Sequence, residues 1–498
     1  MPINFIPNDP LAGATAPGIR VQPKRPDRPA ARSGFTFTGV QPEAVAVPGS
    51  PQFLFWQCRE AAIAAVEAWE ASAGNHTKWQ GNRSKLPLKQ DAGEDLNAFY
   101  NRASFSFFHK AVAGTTYFSG ESTDVVSHEV GHGLLDSIRP DFFSVNFLEV
   151  GAFHEAFGDC MALLTALNDS QTRTKLLDVT ADLRKRNFLE STAEQLSFAI
   201  KQIDPNHNAA EPRHAFNKLQ YQLPQSLPDD GGPGVLINEV HSFGMLFTGC
   251  FWDLLVNMFA ASATHTSATL LTSARAAGRI LIAGAKGAIV TPRFLQAVGR
   301  AMVLADQTLN AAANRDHIRL AFQAHNILLG TNTMIAPAMS LAGAAPKGAV
   351  LSAATRRDLL DRLKSPKGAK LSLTAESVFG TPMVSAMHTR SVSLSSVSDS
   401  LKGVVATAYE PVMIGGSGTR AAVMGHMPNS EDTDSEVQAF AGTLLAHDRI
   451  DFGGKPKAKG IVNLSGKLEP AKTHAIKSVG GKKTLVRVRF VCRGCGLA

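Results

Sequence analysis

The sequence predicts an α+β fold in which strands and helices mix early, helices fill the middle, and strands return at the end. Three observations carry that reading. Apolar residues recur every three or four positions over 52–72 and twice more between 124 and 166, with short Phe- and Tyr-bearing segments at 97–120 between them. Four further helical stretches then run to about residue 329. Near residue 335 Ser, Thr, Val and Gly take over and strict alternation appears, clearest in Val486-Arg487-Val488-Arg489-Phe490. A chain of 498 residues, 44% apolar and 18% charged, is long enough for two to four domains with a sizeable core.

Taken in order, residues 1–45 are rich in Pro, Ala, Arg and Gly without periodicity and predict a disordered, Pro-rich arm. After Pro51, Phe55, Cys58, Ala62, Val66 and Trp69 mark one face of a helix over 52–72, stopped by Gly74-Asn75. Phe105-Ser106-Phe107 predicts a strand. Two helices follow between 124 and 166, broken around Arg139-Pro140-Asp141. Residues 175–222 are mixed and helical, 223–234 form a Pro/Asp/Gly-rich loop, and helices are expected at 240–260, 266–284, 292–305 and 315–326. A linker helix at 353–363 precedes strands, with Val479-Gly-Gly-Lys-Lys483 as a hairpin turn. The expected organisation is an arm (1–45), a mixed lobe (46–165), a helical lobe (166–335) and a separate, basic, β-rich appendage (340–498). No internal repeat stands out.

Charge and cysteines narrow the function classes. Of the net +8, residues 1–32 carry +3 and residues 341–498 carry +10, so the segment between is net negative. Basic ends suit acidic partners, but the aromatic interleaving and fold signatures of a nucleic-acid module are missing, and nucleic acid is not an expected partner. No apolar run reaches the ~18 residues of a membrane span; Gly244–Phe259, the best candidate, is broken by Gly, Asp and Asn. The first thirty residues hold seven prolines and no signal-peptide core, which points to a cytoplasmic protein or one exported by a leaderless route. Five cysteines make no disulfide framework. The lone Cys492-Arg-Gly-Cys495 pair reads as two ordinary thiols on a tail, because a zinc ribbon needs a second pair. Nothing in the sequence bears on oligomeric state.

The chemistry lies in Ser122-Thr-Asp-Val-Val-Ser-His128-Glu129-Val-Gly-His132. On a helix, His128 and His132 stand one turn apart on one face and can share a zinc ion. Glu129 lies about 100° round the helix, within reach of a metal-bound water. Val125, Val126, Val130 and Leu134 make this a core helix, and a buried His pair needs a partner. A catalytic zinc takes three protein ligands. Twenty-three residues after His132, Gly151-Ala-Phe-His-Glu155-Ala-Phe-Gly-Asp159 offers Glu155 as the third, and Asp159, one turn on, can accept the other N–H of a ligand histidine.

Over residues 48–330 the sequence resembles the thermolysin-like zinc metallopeptidases, gluzincins whose third ligand is a glutamate. The resemblance runs from Asn97-Ala98-Phe99-Tyr100-Asn101 through Phe118-Ser119-Gly120, the His128-Glu129 helix and the Glu155–Asp159 helix to Glu239-Val240-His241-Ser242-Phe243-Gly244. It implies a two-lobe core with the zinc helix at the floor of a cleft. It also implies zinc on His128, His132 and Glu155, Glu129 as general base, Asp159 behind the ligands, His241 as the oxyanion donor, and Asn97 and Ala98 holding the substrate backbone. The implied activity is a zinc endopeptidase acting on a peptide or protein beside apolar residues. The alternative is a zinc-stabilised binding module that has lost turnover.

Several departures accompany the likeness. The family's oxyanion tyrosine has no counterpart between 132 and 155, where only Phe142, Phe143 and Phe147 stand. His154 occupies a usual Asn position. The substrate-binding arginine has no clear match, Lys201 being a weak candidate. Asp124 matches a calcium ligand, but the acidic partners expected after Glu155 are missing, so a full calcium site is not expected.

Overall fold

The computed structural model describes residues 1–180, 182–330, 336–366, 369–378, 381–453 and 471–492. It is a mixed α and β chain, as the periodicities predict.

Residues 1–45 are not a disordered arm. β1 (Pro2–Phe5) pairs antiparallel with β2 (Arg20–Pro23), and β3 (Gly34–Phe37) is a sheet strand. Ile3 and Phe5 are buried. The arginines that suggested solvation have partners on α1 (Pro51–Ala73): Arg25 pairs with Glu60 and Glu67, and Arg28 with Glu70. Composition alone hides this, because the carboxylates lie some forty residues downstream. Helix α1 starts where Ser50 accepts from the Phe53 amide with Pro51 at its first position, and it ends at Gly74, φ +80°.

β4 (Lys85–Lys89), β5 (Ala98–Tyr100) and β6 (Phe105–Phe107) follow, then a hairpin of β7 (His109–Val112) and β8 (Thr115–Phe118). α2 (Thr123–Ile138) and α3 (Leu148–Asn168) are separated at Arg139-Pro140, as expected. α3 is buried from Leu148 to Leu167, so it is the central rod of the molecule. α4 (Ser170–Val179), β9 (Ser191–Thr192), α5 (Glu194–Ile203) and β10 (Arg213–His214) make the irregular stretch, with β9 and β10 paired. α6 (Val240–Ala260), α7 (Ser267–Gly287), α8 (Phe294–Asn310) and α9 (Arg315–Ala324) complete the helical region. Among the described residues, α6 is the one helix long and apolar enough to cross a membrane by length and composition; it is mostly buried.

The C-terminal part holds β11 (Pro337–Leu341), α10 (Ala353–Arg362), β12 (Leu371–Val378), β13 (Thr381–Ser393), β14 (Val404–Ser417), β15 (Arg420–Met424), α11 (Ser430–Ala446), β16 (Ile450–Asp451), β17 (His474–Val479), β18 (Lys482–Arg487) and β19 (Phe490–Val491). β11 to β18 form one eight-stranded sheet. The expected hairpin turn is Gly480-Gly481, with φ of +55° and +77°, a backbone that a two-residue type I′ turn requires and glycine adopts freely. The alternating run 486–490 is not one strand. β18 ends at Arg487, and Phe490–Val491 join the N-terminal sheet, whose order is β19-β5-β6-β4-β3.

This part is not a freestanding module. A small apolar cluster of Leu341, Leu359, Val384, Val412 and Ile414 is its own. The main cluster, however, runs continuously from Phe5 through α1, α3 and α6 to Leu444, Leu485 and Phe490.

Candidate metal centre

α2 is started by Ser122, whose hydroxyl accepts from the Val125 amide. It carries His128, Glu129 and His132 inward, all with no exposed surface. α3 lies against it at a glycine contact: a Cβ on Gly131 would come within 3.1 Å of the Gly158 Cα. That closeness brings the Glu155 carboxylate to the histidines, Oε2 standing 3.2 Å from His128 Nε2 and 3.5 Å from His132 Nε2.

These donors fit a small tetrahedral cation. Bonds of ~2.0–2.1 Å place ligand atoms about 3.3 Å apart around zinc. His132 Nε2 and both Glu129 carboxylate oxygens are buried without a hydrogen-bond partner. Donor atoms of His128, Glu129 and His132 lie within 4.8 Å of one another, so this His-Glu-His group could hold a metal ion. Of the two carboxylates, the spacing to both imidazoles favours Glu155 as ligand and leaves Glu129 beside it.

The imidazoles are held from behind. His128 Nδ1 donates to Asp159 Oδ1 at 2.8 Å, which fixes Nε2 as the inward atom. Burial would raise the Asp159 pKa, but Arg213 and His128 hold it well below the usual carboxylate range. His132 Nδ1 meets His154 Nδ1 at 2.8 Å, so His154 serves as an orienting partner. Burial keeps His154 neutral, its pKa well below the ordinary value. Burial lowers the His128 pKa and its carboxylate partners more than reverse this, leaving it at about 9, so metal binding there releases a proton.

Gly158 is a close-approach position. A Cβ there would lie 2.6 Å from His128 Nδ1 and 2.7 Å from its Cε1. Gly158→Ala is expected to push the ring off the shared point and weaken metal binding at least 10- to 100-fold, the usual scale for disturbed ligand orientation. Competition against a chromophoric chelator measures it.

His241 sits in the first turn of α6, where the Glu239 side chain accepts from the His241 and Ser242 amides. Glu239 Oε1 also accepts from His241 Nδ1 at 2.8 Å, and His241 Nε2 stands 3.2 Å from Glu155 Oε2. Burial works against the imidazolium, but Glu155 and Glu239 outweigh it and carry the His241 pKa to about 10. Glu129 is pushed up by burial to about 8, despite His128 nearby.

Asn97 is buried immediately before β5, and the Ala98 carbonyl accepts from the Cys492 amide at 2.9 Å. Lys201 is exposed on α5. Arg213, on β10, stands behind the histidines: its Nη2 donates to Asp159 Oδ1 at 2.7 Å and its Nε donates to Oδ2 at 2.9 Å. Arg213→Ala leaves His128 as the remaining partner of the buried Asp159 carboxylate and is expected to cost about 3 kcal/mol in denaturant unfolding. Phe143 packs edge-on against Tyr100 and Phe490, and the Tyr100 hydroxyl donates to Asp136. Cys492 is not a thiol on a free tail; it is buried, while Cys495 lies outside the described residues.

A second group differs from expectation. Asp124 does have acidic partners, Asp9 and Glu194, with oxygens of all three within 4.8 Å of one another and all buried. They come from the N-terminal segment and from α5 rather than from α3.

Sequence reading missed Arg213, Glu239, Asp9 and Glu194. Only Glu239 left a local signal, an acidic N-cap two residues before a helix-opening histidine. No model of a known protein family matches the chain, and no curated protein matches it either.

Proposed function

We propose that the chain is a zinc-dependent endopeptidase of thermolysin-like type. The reading rests on one observation: Glu155 meets both His128 and His132 at tetrahedral spacing, with an unpartnered Glu129 carboxylate and a charged His241 beside it.

Zinc, held by His128, His132 and Glu155, would polarise the scissile carbonyl and acidify a water. Glu129, whose carboxylate oxygens are buried and unpartnered, takes the proton from that water and delivers it to the leaving amine. His241 donates Nε2–H to the carbonyl oxygen as negative charge develops, oriented by Glu239. Asp159 and Arg213 keep His128 in register. Without a tyrosine hydroxyl, one donor is lost; removal of such a donor typically costs about 10²–10³ in rate, so turnover should be slow. A cavity of about 480 Å³ beside His241, lined in part by Leu196, Ile200, Phe216 and Met245, suits an apolar side chain of a peptide substrate.

The test is metal content together with cleavage of a quenched peptide library. One zinc per chain, with cleavage abolished by a chelator, is the expected result. One zinc with no cleavage by any form of the chain would favour the binding-module reading, and no zinc would sink both.

A further inference from the structure

The cleft is filled by the chain itself. β19 lies antiparallel to β5, Phe490 opposite Tyr100 and Val491 opposite Phe99. Its backbone is held at three points. The Cys492 amide donates to the Ala98 carbonyl at 2.9 Å, His241 Nε2 stands 2.6 Å from the Val491 carbonyl oxygen, and Arg213 Nη1 donates to the Cys492 carbonyl at 3.2 Å. The Phe490 ring stacks on His154 and His132, with centroids 3.9 and 4.8 Å apart, and the Arg487 guanidinium caps it at 4.3 Å. Phe490, Val491 and Cys492 are all buried.

A segment that merely plugged a groove would need shape and apolar contact. This one has, in addition, its Val491 carbonyl on the imidazole assigned above to stabilise an oxyanion. The next amide, Cys492 N–H, sits on the strand edge, and the carbonyl after it sits on the arginine. Cys492 also borders the apolar cavity beside His241. That is the register of a bound substrate whose bond under attack is Val491–Cys492.

We propose that the chain hydrolyses its own Val491–Cys492 bond, and that until it does so the C-terminal strand blocks the cleft to other peptides. The inference rests on the peptidase reading. In the step, a water oxygen bonds to the Val491 carbonyl carbon and the Val491–Cys492 C–N bond breaks. Glu129 relays the proton to the Cys492 amine. The products are a chain ending in the Val491 carboxylate and a C-terminal fragment that begins at Cys492.

Intact-mass spectrometry of the full chain, supplied with zinc, tests it. The expected result is a mass falling by residues 492–498 at a rate independent of protein concentration. Glu129→Gln and Cys492→Pro, the latter lacking the amide hydrogen that Ala98 accepts, should stay full length. Hydrogen exchange of the metal-free full chain gives a readout apart from activity: the Phe490–Cys492 amides should be protected. Rapid exchange there would overturn the inference by itself. Phe490→Asp, which unseats the strand without altering a metal donor, separates the remaining outcomes. If that variant cleaves library peptides while the wild type stays full length, the strand is only an inhibitor; self-cleavage is wrong and the peptidase reading stands. If both bind zinc and neither cleaves anything, the peptidase reading and this one fall together.

Discussion

Glu129→Gln should bind one zinc per chain and lose 10²–10⁴-fold in peptide cleavage, the usual contribution of a positioned general base. The amide is nearly the same size and sits in the same buried position between His128 and Glu155, but it cannot accept a proton. Metal content should hold because the two imidazoles and Glu155 supply three donors without it. Stability gives a second expectation of opposite sign. Burial raises the Glu129 pKa to about 8, so the ionised side chain is a cost in the folded state. The metal-free variant should therefore unfold at the same or a higher denaturant concentration than wild type, most clearly above pH 8. A variant that lost both zinc and stability would instead mark Glu129 as a structural ligand. Inductively coupled plasma measurement, library cleavage and denaturant titration on one preparation decide between them.

The second large effect concerns Asp9, Asp124 and Glu194. Burial raises Asp9 to about 6; burial and the charge on Asp9 raise Glu194 to about 8; and burial with repulsion from Glu194 and Asp9 holds Asp124 well above its ordinary value. One oxygen of each lacks a hydrogen-bond partner. An acid whose folded pKa is raised gives stability that is present below the unfolded pKa and is lost as pH rises through the folded value. Depressed histidines act in the opposite sense: His76, lowered by burial to about 4, adds stability as pH rises, and that gain is complete by about 6.5. Between about pH 6.5 and 8 stability should therefore fall, with Glu194 contributing about 2 kcal/mol at 1.36 kcal/mol per unit and Glu129, His128 and His241 adding in the same direction. Millimolar calcium, which favours clustered carboxylate oxygens, should restore it, and more so at pH 8 than at pH 6. Asp9→Asn with Glu194→Gln should reduce the pH slope by about 2 kcal/mol across this window and abolish the calcium response. Thermal unfolding in a pH series with and without calcium is the measurement. A slope unchanged in the double variant would refute the assignment.

What the sequence made legible was periodic or close in the chain. Helices α1, α2, α3 and α6 through α9 follow from apolar spacing and their stop residues, and His128, Glu129, His132, Glu155 and Asp159 fall on two such helices. What it hid was long-range. Arg213 reaches Asp159 from a two-residue strand with no pattern of its own. Asp9 and Glu194 meet Asp124 from segments 115 and 70 residues away. Arg20, Arg25 and Arg28 looked solvated because their carboxylates lie far along the chain, at Asp169 for the first and on α1 for the other two. Phe490–Val491 looked like the end of a β-hairpin strand, since alternation reports that a strand exists but not which sheet it joins.

The pairing of β19 with β5 also sets an order of events during synthesis. The two strands are separated by about 390 residues. At roughly 5–20 residues per second, the stretch from residue 330 to residue 490 takes on the order of 8–30 s to emerge, whereas small domains fold within seconds. Helices α1 to α9 have that interval in which to assemble with the outer edge of β5 still unpaired. A nascent chain stalled before residue 490 would thus expose the β5 edge, and ribosome-bound intermediates of different lengths should differ in how readily a strand-forming peptide binds there.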